Sequence, residues 1–208
     1  MEKQKRNQLV AISFFLISSI FLYVDPENVS WLPDRVVQSS VLIKGIAFVL
    51  LSIAAILAGI AFENKLRISI ISGIGLAIGL GFLYLPVPAI LRGSAFHLLF
   101  ASAVSFGMTT TAIRVATVVS AICTCVGIGF LYQPVFPSLG GTALYLLLPG
   151  IIVFSIVYSQ KVMCERISIG LIALGLVSLC QPFLILFYQT GFQLLLAGLT
   201  GFIVVAHR

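Results

Sequence analysis

The side chains of this sequence that could do chemistry in an apolar environment are few, and most adjoin prolines. Three such segments occur, namely Tyr84-Leu85-Pro86, Tyr132-Gln133-Pro134 and Gln181-Pro182. Non-helical backbone at membrane depth is tolerated only where it is buried in protein or faces water. If these segments dip inward, their carbonyls and the amides of Gln133 and Gln181 are candidates to line a path. The plainer interpretation is that each proline ends a helix and turns the chain.

Ionisable side chains within the apolar stretches are the next candidates, because such groups usually mark function in a membrane. Lys44 is the one charge within a predicted span, and it either extends outward along the helix or lines a polar cavity. His97 lies just inside another span, shortly after Arg92, and we predict an interfacial position for it. Both Arg92 and His97 are included among the candidate path-lining residues. Without Asp or Glu in a span, a carboxylate-coupled transporter is poorly supported.

Catalytic and cofactor-binding patterns are missing from the sequence. The four cysteines, Cys123, Cys125, Cys164 and Cys180, lack the spacing of a redox or zinc motif, so we interpret them as packing residues. Two histidines are too few for a haem-rich or histidine-rich metal site. Serine-hydrolase, metalloprotease and nucleotide-binding motifs are also missing. We therefore predict no enzyme activity, no cofactor and no metal site.

The composition predicts an integral membrane protein. Of the 208 residues, 60% are apolar and only 9% are charged, with a mean hydropathy of +1.18. Soluble domains have roughly 45–50% apolar and about 25% charged residues. The net charge of +6 rests on only 12 Lys and Arg, too few for a nucleic-acid-binding face. The expected surroundings are a lipid bilayer, with a membrane-protein partner or further copies of the chain as alternatives.

The apolar stretches predict an all-α protein with about eight transmembrane helices. A span requires roughly 17–25 mostly apolar residues. The predicted spans cover about 9–24, 37–61, 66–85, 94–112, 114–132, 142–160, 166–181 and 190–206. The uncharged run from Ile167 to Ala206 is divided at Gln181-Pro182, and six spans remain if one short pair is re-entrant. The stretches are apolar on all sides rather than in alternation, which excludes the strands of a membrane barrel.

The distribution of cations predicts the orientation. Nine of the twelve fall on one side: Lys3, Lys5, Arg6, Lys65, Arg67, Arg114, Lys161, Arg166 and Arg208. By the positive-inside rule, both termini are then cytoplasmic. No cleavage site follows the first apolar stretch, so we predict that it is retained as a span. The short loops favour a bacterial cytoplasmic membrane.

The sequence also repeats itself with a spacing of 48 residues. Between Gly81–Phe106 and Gly129–Phe154, 12 of 26 positions are identical. A second shift of 48 extends the match, more weakly, toward the end of the chain. We predict a single transmembrane domain of four parallel helical hairpins, with repeat units of about 5–62, 65–112, 113–160 and 161–208.

Glycine spacing predicts close helix packing within these spans. Gly75 and Gly79 form a G-x-x-x-G motif, and Ala121, Cys125 and Gly129 continue the same spacing in another span. Gly79, Gly127 and Gly175 occupy one repeat position. Small residues let helix backbones approach closely, so packing is the expected role of these glycines. The same surface would serve self-association or docking onto a partner.

Two functional hypotheses follow. The first is an assembly or membrane-stress protein that acts through helix packing. The second is a transport or channel-like permeation protein for a neutral or lipophilic solute, with its path between hairpins. The sparse polar content favours the first hypothesis slightly, and no motif names a substrate.

Overall fold

The computed structural model describes residues 2–23, 39–132, 137–181 and 184–208, and within these ranges the chain is entirely helical apart from short connections. Eight helices are described. They are α1 (Glu2–Tyr23), α2 (Ser40–Ala61), α3 (Lys65–Tyr84), α4 (Ala89–Thr109), α5 (Ile113–Tyr132), α6 (Pro137–Val157), α7 (Lys161–Cys180) and α8 (Ile185–Ala206). No strand occurs in the described part, in agreement with the all-α prediction.

Local sequence explains where several of these helices begin and end. Asn64 precedes α3, and its side-chain oxygen accepts a hydrogen bond from the Arg67 N–H at 3.1 Å, which caps the helix. Leu85 ends α3 in an extended conformation, as expected of a residue before proline. Gln181 ends α7 in the same way, so the division of the long apolar run between α7 and α8 falls where the sequence predicts it.

Seven of the eight described helices are long and apolar enough to cross a membrane, which indicates a multi-pass membrane protein. A helix of 20 residues extends about 30 Å, the thickness of the hydrocarbon core. The helix outside this set is α4, which carries Arg92, His97 and several serines. The prediction of about eight spans is therefore confirmed for seven helices. The eighth, α4, is long enough to cross a membrane, but its described residues fall short of the apolar composition of the other seven.

The helices form two compact units, and each is described by itself. Unit 1 comprises Met1–Thr109, with α1 to α4. Consecutive helices pack as hairpins, α1 with α2 and α3 with α4, and α2 packs against α4. The helices of unit 1 thus follow the packing order α1, α2, α4, α3. Ala95, Leu99 and Ala103 on α4 are among its most buried side chains.

Unit 2 comprises Thr110–Arg208, with α5 to α8. Its hairpins are α5 with α6 and α7 with α8, and α6 packs against α8. Leu147, Ile151 and Ile152 on α6 are almost completely buried, as is Leu194 on α8. The pairing of helices within unit 2 is therefore the same as within unit 1.

Candidate functional site

The side chain of Gln181, one of the predicted path-lining residues, is engaged in the turn after α7. Its Nε2 donates to the Leu184 carbonyl at 2.7 Å, and its Oε1 accepts from the Leu184 N–H at 3.0 Å. These two bonds brace the turn and use one of the two N–H donors and one of the two lone pairs of the amide. The candidates Gln133, Pro134 and Pro182 lie outside the described residues.

The remaining candidates near the turns lie at helix ends within each unit. Tyr84 and Pro86 are exposed where α3 ends, and Arg92 is exposed on the first turns of α4. Tyr132 packs its ring against Phe187 of α8, with the ring centroids 5.1 Å apart. These residues lie at helix ends, where amphipathic side chains commonly meet the membrane interface.

His97 belongs to an aromatic cluster between α2 and α4. Its ring lies edge-on to Phe48 with centroids 5.7 Å apart, and Phe96 lies 5.9 Å away in a similar arrangement. Phe48 in turn contacts the ring of Phe100 at 4.9 Å. Because edge-to-face aromatic pairs stabilise packing, the geometry gives His97 a role in joining the two helices.

The glycines of α3 are used within their own hairpin. A methyl group built on Gly75 would collide with the Ser102 hydroxyl on α4. On Gly79 it would lie 2.7 Å from Cγ of Leu99, also on α4. Both glycines therefore allow α3 and α4 to approach closely, and neither faces outward toward a partner.

The same arrangement recurs in unit 2. A methyl group on Gly127 of α5 would lie 2.9 Å from the Leu147 N, and on Gly175 of α7 it would lie 2.6 Å from the Leu195 N. Each of these glycines, like Gly79, thus faces the leucine 20 residues further along the chain. Gly129 differs, because it has nothing within 4 Å of the position of a Cβ atom.

Unit 1 contains a cavity of about 390 Å³ to which all four of its helices contribute. Its lining is apolar except for three serines, and no charged residue takes part. The lining residues are Ala11, Ile12, Phe15, Leu16, Ala54, Ala55, Ala58, Phe62, Ile68, Ile71, Ser72, Gly75, Leu98, Ala101, Ser102 and Ser105. This volume lies within the range of small-molecule binding sites, roughly 300–1,000 Å³.

The cavity has a closed side and an open side. On α2, the lining residues Ala54 and Ala55 are only 2% and 5% exposed. On α1 and α3, the lining residues Phe15 and Ile71 are 50% and 63% exposed. Since α1 and α3 end the packing order of unit 1 and are not packed together in its described part, the cavity opens between them.

Because the cavity opens between α1 and α3, an apolar molecule from the surrounding lipid can enter it. Its apolar lining excludes a charged molecule.

Larger side chains stand in unit 2 at several positions that line this cavity in unit 1. Corresponding residues of the two units lie 96 positions apart, which is two of the predicted 48-residue repeats. Ile151 then corresponds to Ala55, Phe154 to Ala58 and Leu171 to Gly75. Ile151 and Leu171 are buried, and Phe154 stacks on Tyr158 with ring centroids 4.9 Å apart. At other lining positions the smaller residue stands in unit 2, since Gly198 corresponds to Ser102 and Gly201 to Ser105.

Sequence reasoning missed the cavity and its serines Ser72 and Ser102. A signal existed, because Ser72, Ser120 and Ser168 follow the 48-residue spacing, and all three are buried. Among the described residues, no group of three or more His, Cys, Asp or Glu side chains could hold a metal ion. The four predicted packing cysteines are free thiols, with Cys164 buried and Cys125 and Cys180 exposed.

No protein-family model, curated protein or solved structure matches this chain, so its site has to be interpreted from its own geometry.

Proposed function

We propose that this chain is a non-enzymatic membrane protein that binds a neutral, lipophilic solute in the cavity of unit 1 and lets it pass to or from the bilayer. The observation that carries the proposal is the cavity itself, lined by four helices and open between α1 and α3. Its apolar lining suits a molecule that already partitions into lipid. The proposal favours transport or permeation over a role based on packing alone.

The proposed architecture is four repeated hairpins with eight spans and both termini in the cytoplasm. Buried small residues at the 48-residue spacing support it: Ala54, Ser102, Gly150 and Gly198 lie on the four even-numbered helices. The packing of α4 against both α2 and α3 supports α4 as the eighth span. The cation distribution supports the orientation in a bacterial cytoplasmic membrane.

The test of solute binding uses a photoreactive hydrocarbon probe in liposomes that contain the full chain. The probe is a long-chain alcohol with a diazirine in its chain, and labelled residues are identified by mass spectrometry. We expect labelling to concentrate on cavity residues of α1 and α3, such as Phe15 and Ile71. Even labelling of all exposed helix faces would overturn the proposal.

A matched pair of variants isolates the cavity. The double variant Ala55→Ile and Ala58→Phe introduces the side chains that unit 2 has at the corresponding positions, so it should abolish labelling of the cavity. The control Ala77→Phe adds an aromatic ring to α3 at an exposed position outside the cavity, and its labelling should match that of the wild type. If the filled variant still labels like the wild type, the cavity is not the binding site.

A second candidate function is assembly with another membrane protein or another copy of the chain, through α5. Gly129 has open space around it and Cys125 is exposed, so the outward face around Ala121, Cys125 and Gly129 can accept a helix. Gly75 and Gly79 do not support this role, because they are already packed against α4.

The test is whether a complex in mild detergent depends on α5. Gly129→Leu should dissolve the complex. The control Gly170→Leu makes the same change on α7, where nothing lies within 4 Å of the Cβ position either, and it should preserve the complex. Size-exclusion chromatography with light scattering gives the mass of the complex. A lone monomer in the wild type rules out assembly through this face.

A further inference from the structure

Two serine hydroxyls in the cavity of unit 1 lack any hydrogen-bond partner among the described residues. Ser72 on α3 and Ser102 on α4 both line the cavity and are 6% and 8% exposed. Ser102 Oγ lies against Gly75, one turn from Ser72 on the same helix, so the two hydroxyls belong to the same α3–α4 wall. Neither hydroxyl is among the fully enclosed polar atoms without a partner, which are Ser155 Oγ, Ser168 Oγ and Gln193 Oε1, so both face the open space of the cavity.

The other hydroxyl residues of the helices do not all behave alike. Ser155 and Ser168 of unit 2 are fully buried and have no hydrogen-bond partner either, but they do not line this cavity. Ser52, Ser94 and Thr109 each donate to a carbonyl three or four residues earlier, at 2.7–2.9 Å. That local bond is the usual solution for a hydroxyl in a helix. The third serine of the cavity, Ser105, donates to the Ala55 carbonyl on α2 at 3.2 Å. Ser72 and Ser102 alone among the three cavity serines keep their hydroxyls for an occupant.

The chemistry of the wall then specifies the occupant further. A buried hydroxyl without a partner costs free energy, and a ligand oxygen would remove that cost. No charged residue lines the cavity, so the ligand must be neutral. A hydroxyl group can both accept from one serine and donate to the other, whereas an alkane can do neither.

We propose that the cavity of unit 1 selects a neutral long-chain alcohol, whose hydroxyl bonds to Ser72 and Ser102 while its hydrocarbon chain extends toward the opening between α1 and α3. This inference rests on the proposed function, because it names the class of solute for the same cavity. The two serines would recognise the hydroxyl oxygen of the ligand, in a site that otherwise selects by volume and apolar lining.

The experiment compares three photoreactive probes in phosphatidylethanolamine and phosphatidylglycerol liposomes containing the full chain. They are a diazirine-bearing long-chain alcohol, an alkane of the same length, and a phosphatidylcholine with the same acyl chain. Labelling of Phe15 and Ile71 by the alcohol should exceed that by the alkane about three- to tenfold, the usual effect of a hydrogen bond within a membrane protein. This comparison uses the wild-type chain, so it does not depend on the folding of any variant.

Serine variants then assign the preference to its residues. Ser72→Ala and Ser102→Ala, singly and together, should lower the alcohol-to-alkane ratio toward one. The control Ser94→Ala removes a buried hydroxyl that bonds to the Leu91 carbonyl outside the cavity, and it should retain the wild-type ratio. An unchanged ratio in the double variant overturns the inference.

The outcomes separate this inference from the proposed function. Equal labelling of the cavity by alcohol and alkane refutes recognition of oxygen but keeps the cavity as a binding site. Equally strong labelling by the phosphatidylcholine probe identifies bulk lipid as the occupant and also overturns the inference. Absence of cavity labelling by every probe refutes the proposed function itself.

Discussion

Units 1 and 2 pair their helices in the same order but distribute large and small side chains differently between them. The cavity positions Ala55 and Ala58 of unit 1 correspond to Ile151 and Phe154 of unit 2. The reverse holds at Ser105, where unit 2 has Gly201, and the Cβ position of Gly201 lies 2.9 Å from Cγ1 of Ile151. The same helix pairing therefore accommodates different arrangements of large and small residues.

The largest predicted effect comes from truncating a buried side chain of unit 2. Ile151 is 1% exposed, so Ile151→Ala should destabilise the protein by about 2–5 kcal/mol through lost packing and a new cavity. Thermal unfolding in detergent, followed by circular dichroism, measures the loss. The control Ile203→Ala removes the same atoms from an exposed position on α8 and should have a much smaller effect. Equal losses in the two variants would contradict the burial of Ile151 in the packing of unit 2.

The next effect concerns the glycines that hold each hairpin together. Gly175→Ala brings a methyl group against the backbone of α8, which cannot move aside, so we expect a loss of roughly 1–3 kcal/mol. Gly79→Ala meets the Leu99 side chain, which can rotate away in part, so its loss should be smaller. Chemical unfolding in mixed micelles compares the two.

Gly170→Ala is the control for this pair, because it makes the same change on α7 where nothing lies within 4 Å. Alanine favours helix over glycine by about 1 kcal/mol, so this variant should gain stability. The free energy of unfolding should therefore rise for Gly170→Ala and fall for Gly175→Ala. A gain of stability in both variants would mean that α7 and α8 are not in close contact at Gly175.

A smaller effect is expected from partly filling the cavity of unit 1. Ala55→Ile adds three methylene-sized groups at a position that is closed by Ile151 in unit 2, with a gain of about 1 kcal/mol after some strain. The midpoint of thermal unfolding should rise by several degrees. A fall in the midpoint would show that the space beside Ala55 is narrower than the cavity volume implies.

The smallest predicted effect lies at the helix ends. The Arg208 guanidinium donates to the carbonyls of Ser155, at 3.1 Å, and Tyr158 near the end of α6, whereas in unit 1 Gln8 donates to the Ala61 carbonyl at 3.0 Å. A cation suits the negative end of a helix, so Arg208→Gln should cost roughly 0.5–1 kcal/mol, and Gln8→Ala less. Amide hydrogen exchange in the last turns of α6 and α2 measures both. Equal protection losses would mean that the charge of Arg208 adds nothing.

The sequence predicted the helices better than the site, for physical reasons. The length of the apolar stretch and the position of Pro182 predict that α7 ends at about Gln181. The helix in fact ends at Cys180, one residue earlier. The glycine spacing indicated close packing at Gly79, Gly127 and Gly175, but it was silent on which helix each one faces. Gly129 follows Ala121 and Cys125 at the four-residue spacing, yet it faces open space because its side of α5 is not packed.

The cavity was harder to predict, since it depends on several small residues on different helices facing the same volume. Ala55 and Gly75 are ordinary membrane residues when considered singly, and only their position around one space makes them unusual. The proline-linked amides attracted attention because polar groups are rare in this chain. Gln181 instead satisfies its own turn, a local bond that sequence does not distinguish from a ligand contact.

The hairpin pairing also bears on how the chain is made. Each helix packs most extensively against its neighbour in sequence, α1 with α2, α3 with α4, α5 with α6 and α7 with α8. Contacts between segments close in sequence form quickly, because little loop entropy is lost. We expect each hairpin to insert and close during synthesis before the next has emerged. The docking of α2 on α4, and of α6 on α8, then completes each unit as a later step.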